Sequence, residues 1–190
     1  MPVLSTRTQV LIGIALALLL AITRGNHFAS LNLPSASWAV FFLAGVLLRP
    51  RWVFAGLFAL ASALDFSMMS SGTVSDWCLS PAYWVLVPAY ASLWLGGRLY
   101  ARWHSDGLHS LLLLALLVIS SAFVCNLLSG GGFYFFSGRY PEPTLAGWLP
   151  RIAEYYPRFL SSMTLYVGMA SALYIAALAF VGPRRALEIQ

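Results

Sequence analysis

The sequence predicts an all-α membrane protein of six transmembrane helices, forming a single integral-membrane domain over residues 1–190. Two observations predict it. Of the 190 residues, 60% are hydrophobic and only 9% are charged, whereas a soluble domain carries about 25% charged and about 45–50% apolar residues. Charge this sparse cannot cover a globular surface. The apolar residues are also grouped in runs approaching the ~20 residues that a spanning helix needs, separated by short segments holding Arg, Pro and Gly. Aromatic residues make up 15% of the chain, and Trp and Tyr gather at bilayer interfaces.

The first run, about Gln9 to Thr23, is almost entirely Leu, Ile and Ala. It lacks a small-residue cleavage site followed by a soluble domain, so it is expected to be a retained helix rather than a signal peptide. The second, about Ser37 to Leu48, is short and is closed by Arg49-Pro50-Arg51. The third runs from Trp52 to about Met69 and carries an acid, Asp65. The fourth runs from about Ser80 to Leu99. Its Pro81 suits a first turn, and Pro88 is expected to kink the middle. The fifth runs from about Leu108 to Leu128, and the sixth from about Pro157 to Val181, with Gly182-Pro183 expected to stop it.

All eleven basic residues are Arg. They fall singly or in pairs between apolar runs, a placement that suits membrane topology better than nucleic-acid binding. With six spans, one side holds Arg7, Arg49, Arg51, Arg98, Arg102, Arg184 and Arg185, and the other holds Arg24, Arg139, Arg151 and Arg158. The richer side, which includes both termini, is expected to be cytoplasmic. The outer connections are then the longer ones: Arg24 to Ala36, Ser70 to Leu79, and Ser129 to Tyr156. The last contains Gly130-Gly131-Gly132 and the aromatic run Phe133 to Phe136, too aromatic for disorder, and is expected to form a lid or pocket wall.

Several residues could carry chemistry. Asp65 sits in an apolar helix, where a carboxylate usually faces a cavity or a partner; the alternative is a solvated position near the helix end. Cys78 precedes the fourth helix, where the helix dipole favours a thiolate able to ligate metal or attack; the alternative is an inert interfacial thiol. Cys125 lies among apolar residues and reads as inert. His27 could ligate a metal or be solvated. Arg139, Arg151 and Arg158 could hold an anion or serve as interfacial anchors. Trp77, Tyr83 and Tyr134 flank polar segments and are placed in a pocket. Neither a phosphate-binding GxxxxGK[ST] loop nor HExxH or GxSxG is present, so no nucleotide is expected to bind this chain. Ala17 and Ala21 form a small-xxx-small pattern that would let another membrane helix approach closely.

The length, the six helices, the Ala17-Leu-Leu-Leu-Ala21 first helix and the segment Asp76-Trp77-Cys78-Leu79-Ser80-Pro81-Ala82-Tyr83, with Asp65 upstream, together resemble the S-components of energy-coupling-factor (ECF) vitamin transporters. Within them the chain is most similar to the cobalamin-specific BtuM family. The resemblance implies cobalamin uptake across the bacterial cytoplasmic membrane. It makes Cys78 the axial cobalt ligand, with displacement of an axial cyanide as a further expectation. It implies a pocket that includes Asp65, Tyr83, His27, Asn26, Trp77, Tyr134 and Arg151. Asn26, Ser75 and Tyr83 would meet the corrin's amide arms. Ala17 and Ala21 would dock on an ECF transmembrane subunit driven by two ATPases, unless the chain is solitary. Three other readings compete: an S-component for a different vitamin, an intramembrane enzyme with Cys78 as nucleophile and His27 or Asp65 as base, and a structural subunit without ligand.

Overall fold

The computed structural model describes residues 5–24, 33–70, 80–105 and 107–187, with side chains described to residue 177. Within these residues the chain is all-helical: α1 (Thr6–Thr23), α2 (Ser37–Leu47), α3 (Trp52–Ser70), α4 (Leu86–Trp103), α5 (Leu108–Phe136) and α6 (Leu145–Leu187). A 3-10 turn, Pro81–Val85, leads into α4. Four of the helices, α1, α3, α5 and α6 as far as Ala177, are long and apolar enough to cross a membrane.

α2 is different. At 11 residues it rises only about 16 Å, against a hydrocarbon core of about 30 Å. Every residue from Ser37 to Gly45 is buried. The short apolar run is therefore a central helix wrapped by its neighbours, with the backbone turning extended at Leu48 after its last residue. Its closest partner is α4, and glycine makes that approach possible. A Cβ on Gly97 would run into the Phe42 carbonyl, and one on Gly45 into the Trp94 carbonyl. Small residues bring backbones together in the same way in lipid-embedded bundles. Around this contact Phe41 stacks on Tyr90 with centroids 4.5 Å apart, and Phe41, Phe42, Val40 and Leu93 are fully enclosed.

Helix ends alternate between two ends of the bundle. At one end the Gln9 Oε1 of α1 accepts from the Arg49 N–H after α2, 3.1 Å away. Arg98 of α4 donates to the Leu48 and Arg49 carbonyls at 3.1 and 2.9 Å. Tyr100, His104 and Ser110 form a hydrogen-bonded cluster where α4 meets α5. The other end gathers the last turns of α1, α3 and α5 with the first turns of α2 and α6 and the 3-10 turn.

Three expectations need correction. Gly130-Gly131-Gly132 and Phe133 to Phe136 are not loop: α5 continues to Phe136, and α6 begins at Leu145, so the connection is only residues 137–144. The glycines persist in the helix because two of them are packing sites. A Cβ on Gly131 would press on Trp148 and one on Gly132 on Val85. Gly182-Pro183 does not stop α6, which extends to Leu187. A proline forfeits one backbone hydrogen bond, and long membrane helices absorb that loss. Pro88 lies in the first turn of α4 rather than at mid-helix, where its missing N–H costs nothing. The overlong α5, 29 residues or about 43 Å, overshoots the bilayer core and walls the site described next.

Candidate functional site

The end opposite the Arg49/Arg98 contacts holds two adjoining polar features. The first is an ion pair inside apolar surroundings. Arg24, capping the end of α1, meets Asp65 of α3 in a forked arrangement: Nε donates to Oδ1 at 2.7 Å and NH2 to Oδ2 at 2.6 Å. The two side chains are only 10% and 11% exposed. The Tyr83 hydroxyl donates to Asp65 Oδ2 at 3.0 Å. Arg24 NH1 donates to the Ser37 and Tyr90 hydroxyls at 3.2 and 3.1 Å, and the guanidinium lies 5.6 Å from the Tyr90 ring centroid. One arginine thus ties α1 to α2, α3 and α4. Planar guanidinium and carboxylate match bidentately, which gives geometric definition as well as energy. Asp65 is therefore neither solvated nor an isolated acid. Both its oxygens are already accepting.

The second feature is a cavity of about 350 Å³ between the ends of α5 and α6, lined by Asn126, Phe133, Tyr134, Tyr140, Trp148 and Arg151 among others. Tyr134 and Tyr140 lie 4.5 Å apart, and Arg151 sits 5.4 and 4.6 Å from their ring centroids. Cation–π contacts of partly exposed groups such as these are worth about 0.5–1 kcal/mol. The Tyr134 hydroxyl accepts from the Thr144 N–H at 3.4 Å, fixing the short α5–α6 connection beside the cavity. Asn126 is only 4% exposed as a residue and lines the cavity, with no hydrogen bond to another described residue. Among the described residues the enclosed side-chain polar atom without a partner is Trp94 Nε1, so the Asn126 amide opens to the cavity instead of being sealed in the core. An amide that reaches a cavity suits a ligand bearing donors and acceptors.

Of the residues expected in the pocket, Asp65 and Tyr83 come together in the ion-pair network and Tyr134 and Arg151 in the aromatic cavity. Asn26, His27, Trp77 and Cys78 lie outside the described residues; the described chain resumes at Ser80, two residues after Cys78, at this same end. Ala17 and Ala21 are half-buried on α1. Ala17 borders an apolar groove shared with Gly56, Leu57 and Leu60 of α3. Cys125 is completely buried in the core. Among the described residues, no group of three or more His, Cys, Asp or Glu could hold a metal ion.

Asn126 and a partner for Arg24 are not among the expectations drawn from the sequence. Both carried a signal. A lone amide in the apolar run of α5, and an Arg and an Asp at the same ends of two apolar helices, are the polar groups whose cost in lipid calls for a partner or a function. No protein-family model matches this chain, and no curated protein matches it.

Proposed function

We propose that this chain is a six-span, cytoplasmic-membrane component for corrinoid uptake, of the ECF S-component type, with both termini cytoplasmic and Cys78 as axial cobalt ligand on the outer side. The observation that carries the reading is the Asn126 amide, without a hydrogen bond to another described residue, in an aromatic, arginine-capped cavity. A corrinoid has broad apolar faces and a fringe of amide arms. Stacked rings suit the first, and Asn126 and Arg151 suit the second. The cavity's 350 Å³ is near the lower end of the ~300–1,000 Å³ usual for small-molecule sites, so it fits an edge of the corrin and its arms. The segment bearing Cys78 joins the described chain at Ser80, close to Tyr83 in sequence. A soft thiolate there would suit cobalt, and displacement of an axial cyanide would follow from its coordination. The chain binds no nucleotide in this reading. Energy would come from an ECF transmembrane subunit with two ATPases, engaged through the Ala17 and Ala21 side of α1, or the component would act alone.

An intramembrane cysteine enzyme using Asp65 as base is less well supported, because Arg24 and Tyr83 already occupy both carboxylate oxygens. The test is an absorbance spectrum of the detergent-purified protein after expression with cyanocobalamin and thorough washing. Retained corrinoid with shifted bands, lost in Cys78→Ala, is the expected result. A colourless protein that also fails to take up added cobalamin would overturn the corrinoid reading.

A further inference from the structure

The Arg49/Arg98 end carries a second, larger cavity, of about 900 Å³, that the corrinoid reading does not use. Its interior is apolar, lined by Ile12 and Leu16 of α1, Leu43 and Val46 of α2, and Ala170 and Leu173 of α6. Its mouth is lined by four arginines: Arg49, Arg51, Arg98 and Arg102. Arg98 is engaged, donating to two backbone carbonyls and lying 5.0 Å from the Trp94 ring centroid. Arg49, Arg51 and Arg102 have exposed side chains with no acidic partner among the described residues. The described acids, Asp65, Glu142 and Glu154, all belong to the other end of the bundle or to the α5–α6 turn there. Two exposed tryptophans, Trp52 and Trp103, flank the mouth in sequence, at 73% and 54% exposure. Such residues settle at the headgroup level of a bilayer, where arginine meets lipid phosphate.

We propose that this groove holds an anionic glycerophospholipid, with its acyl chain between α1 and α6 over α2, and its phosphate on Arg49, Arg51 and Arg102. Charge complementarity decides the occupant. A zwitterionic lipid would satisfy the apolar groove equally well, but its ammonium group offsets its phosphate, so it brings no net negative charge to three arginines that have no acidic partner among the described residues. Basic pockets between membrane helices recognise anionic headgroups on this principle, and a planar guanidinium holds phosphate bidentately.

The experiment is intact-mass measurement of the delipidated full-length chain in detergent, titrated with phosphatidylglycerol and with phosphatidylcholine of the same acyl length. The expected result is one tightly held phosphatidylglycerol, saturating at least about tenfold below phosphatidylcholine. At about fivefold per arginine, Arg49→Gln/Arg102→Gln weakens phosphatidylglycerol about 25-fold and phosphatidylcholine, whose headgroup has no net charge, by much less. Ala170→Trp, which obstructs the apolar groove, weakens both lipids. Glycerol phosphate without acyl chains does not bind. Unchanged circular dichroism and elution volume show that each variant is folded; a variant failing either check is replaced by Arg51→Gln or Leu173→Trp, judged by the same criteria. Equal retention of the two lipids would overturn the proposal, as would a double-arginine variant that keeps phosphatidylglycerol. A lipid-independent dimer that Ala170→Trp dissociates would assign the groove to a second copy of the chain instead and overturn it too.

Discussion

Replacing Asp65 with Asn keeps the shape of the side chain and removes its charge. Arg24 is then left in a site where its side chain is 10% exposed, with no anion to meet it. Removing one partner of a buried pair typically costs about 3–5 kcal/mol, because the remaining charge stays desolvated. For a chain of this length a kcal/mol corresponds to about 2–4 °C of Tm, so Asp65→Asn should lower Tm by about 6–20 °C. The double variant Arg24→Met/Asp65→Leu removes both charges, and apolar replacement of a buried pair is often neutral or better. What it does lose is the hydrogen bonding of Arg24 to Ser37 and Tyr90 and of Tyr83 to Asp65; Ser37 keeps Ser35 as a partner, while a buried hydroxyl left unpaired costs about 1–3 kcal/mol. It should therefore recover part of the single variant's loss. The assay is thermal unfolding in detergent followed by circular dichroism, with all four corners of the double-mutant cycle measured. If Asp65→Asn melts within 1–2 °C of the parent, or the double variant melts no higher than the single, the ion pair does not hold α1, α3 and α4 together.

Gly97→Val should cost at least about 3 kcal/mol and abolish a monodisperse elution peak, since its side chain would meet backbone that cannot move aside. Gly130→Ala, where a Cβ meets open space, should instead be neutral or raise stability by about 0.5–1 kcal/mol, as thermal unfolding would show. Asn126→Leu should leave Tm within about 1–2 °C while weakening the proposed corrinoid binding by up to about tenfold, read by spectral titration; unchanged binding would remove Asn126 from the site. Cys125→Ala, deep in the core, should leave the spectrum of the proposed corrinoid complex intact, whereas Cys78→Ala should remove it.

Much of the helical layout is readable from the sequence because lipid leaves few solutions. Apolar runs of the right length must be helices, and the starts near Ser37, Trp52 and Leu108 coincide with the observed ones. The ends of α5 and α6 were not readable, for one physical reason. Gly and Pro break helices in water, where a freed backbone group competes with solvent. In a bundle the same residues are packing and length adjustments, as Gly131 and Gly132 show against Trp148 and Val85. The candidate site was half legible. Asp65 and Tyr83 stood out as polar groups in apolar surroundings, but their meeting with Arg24, 41 residues from Asp65, is a tertiary fact that periodicity does not contain. Asn126 hid inside a run whose neighbours are all apolar or small, and only the cavity beside it gives it a meaning.

The two ends of the bundle use arginine in opposite ways, and burial explains the difference. Arg24 lies at a helix end but is walled in by α2, α3 and α4, so the protein itself must supply the counter-charge, and Asp65 does so with both oxygens. An enclosed charge left without its partner costs about 3–5 kcal/mol, and a chain with six acids in 190 residues has few to spend. Arg49, Arg51 and Arg102 have no acid of their own among the described residues, yet they are exposed beside an apolar groove. There the membrane can supply the anion. An enclosed arginine therefore calls for a residue of this chain, and an exposed arginine at a groove mouth calls for a lipid. The same argument makes the Arg24–Asp65 pair insensitive to the surrounding lipid, while occupancy of the arginine groove should follow the anionic lipid content of the membrane.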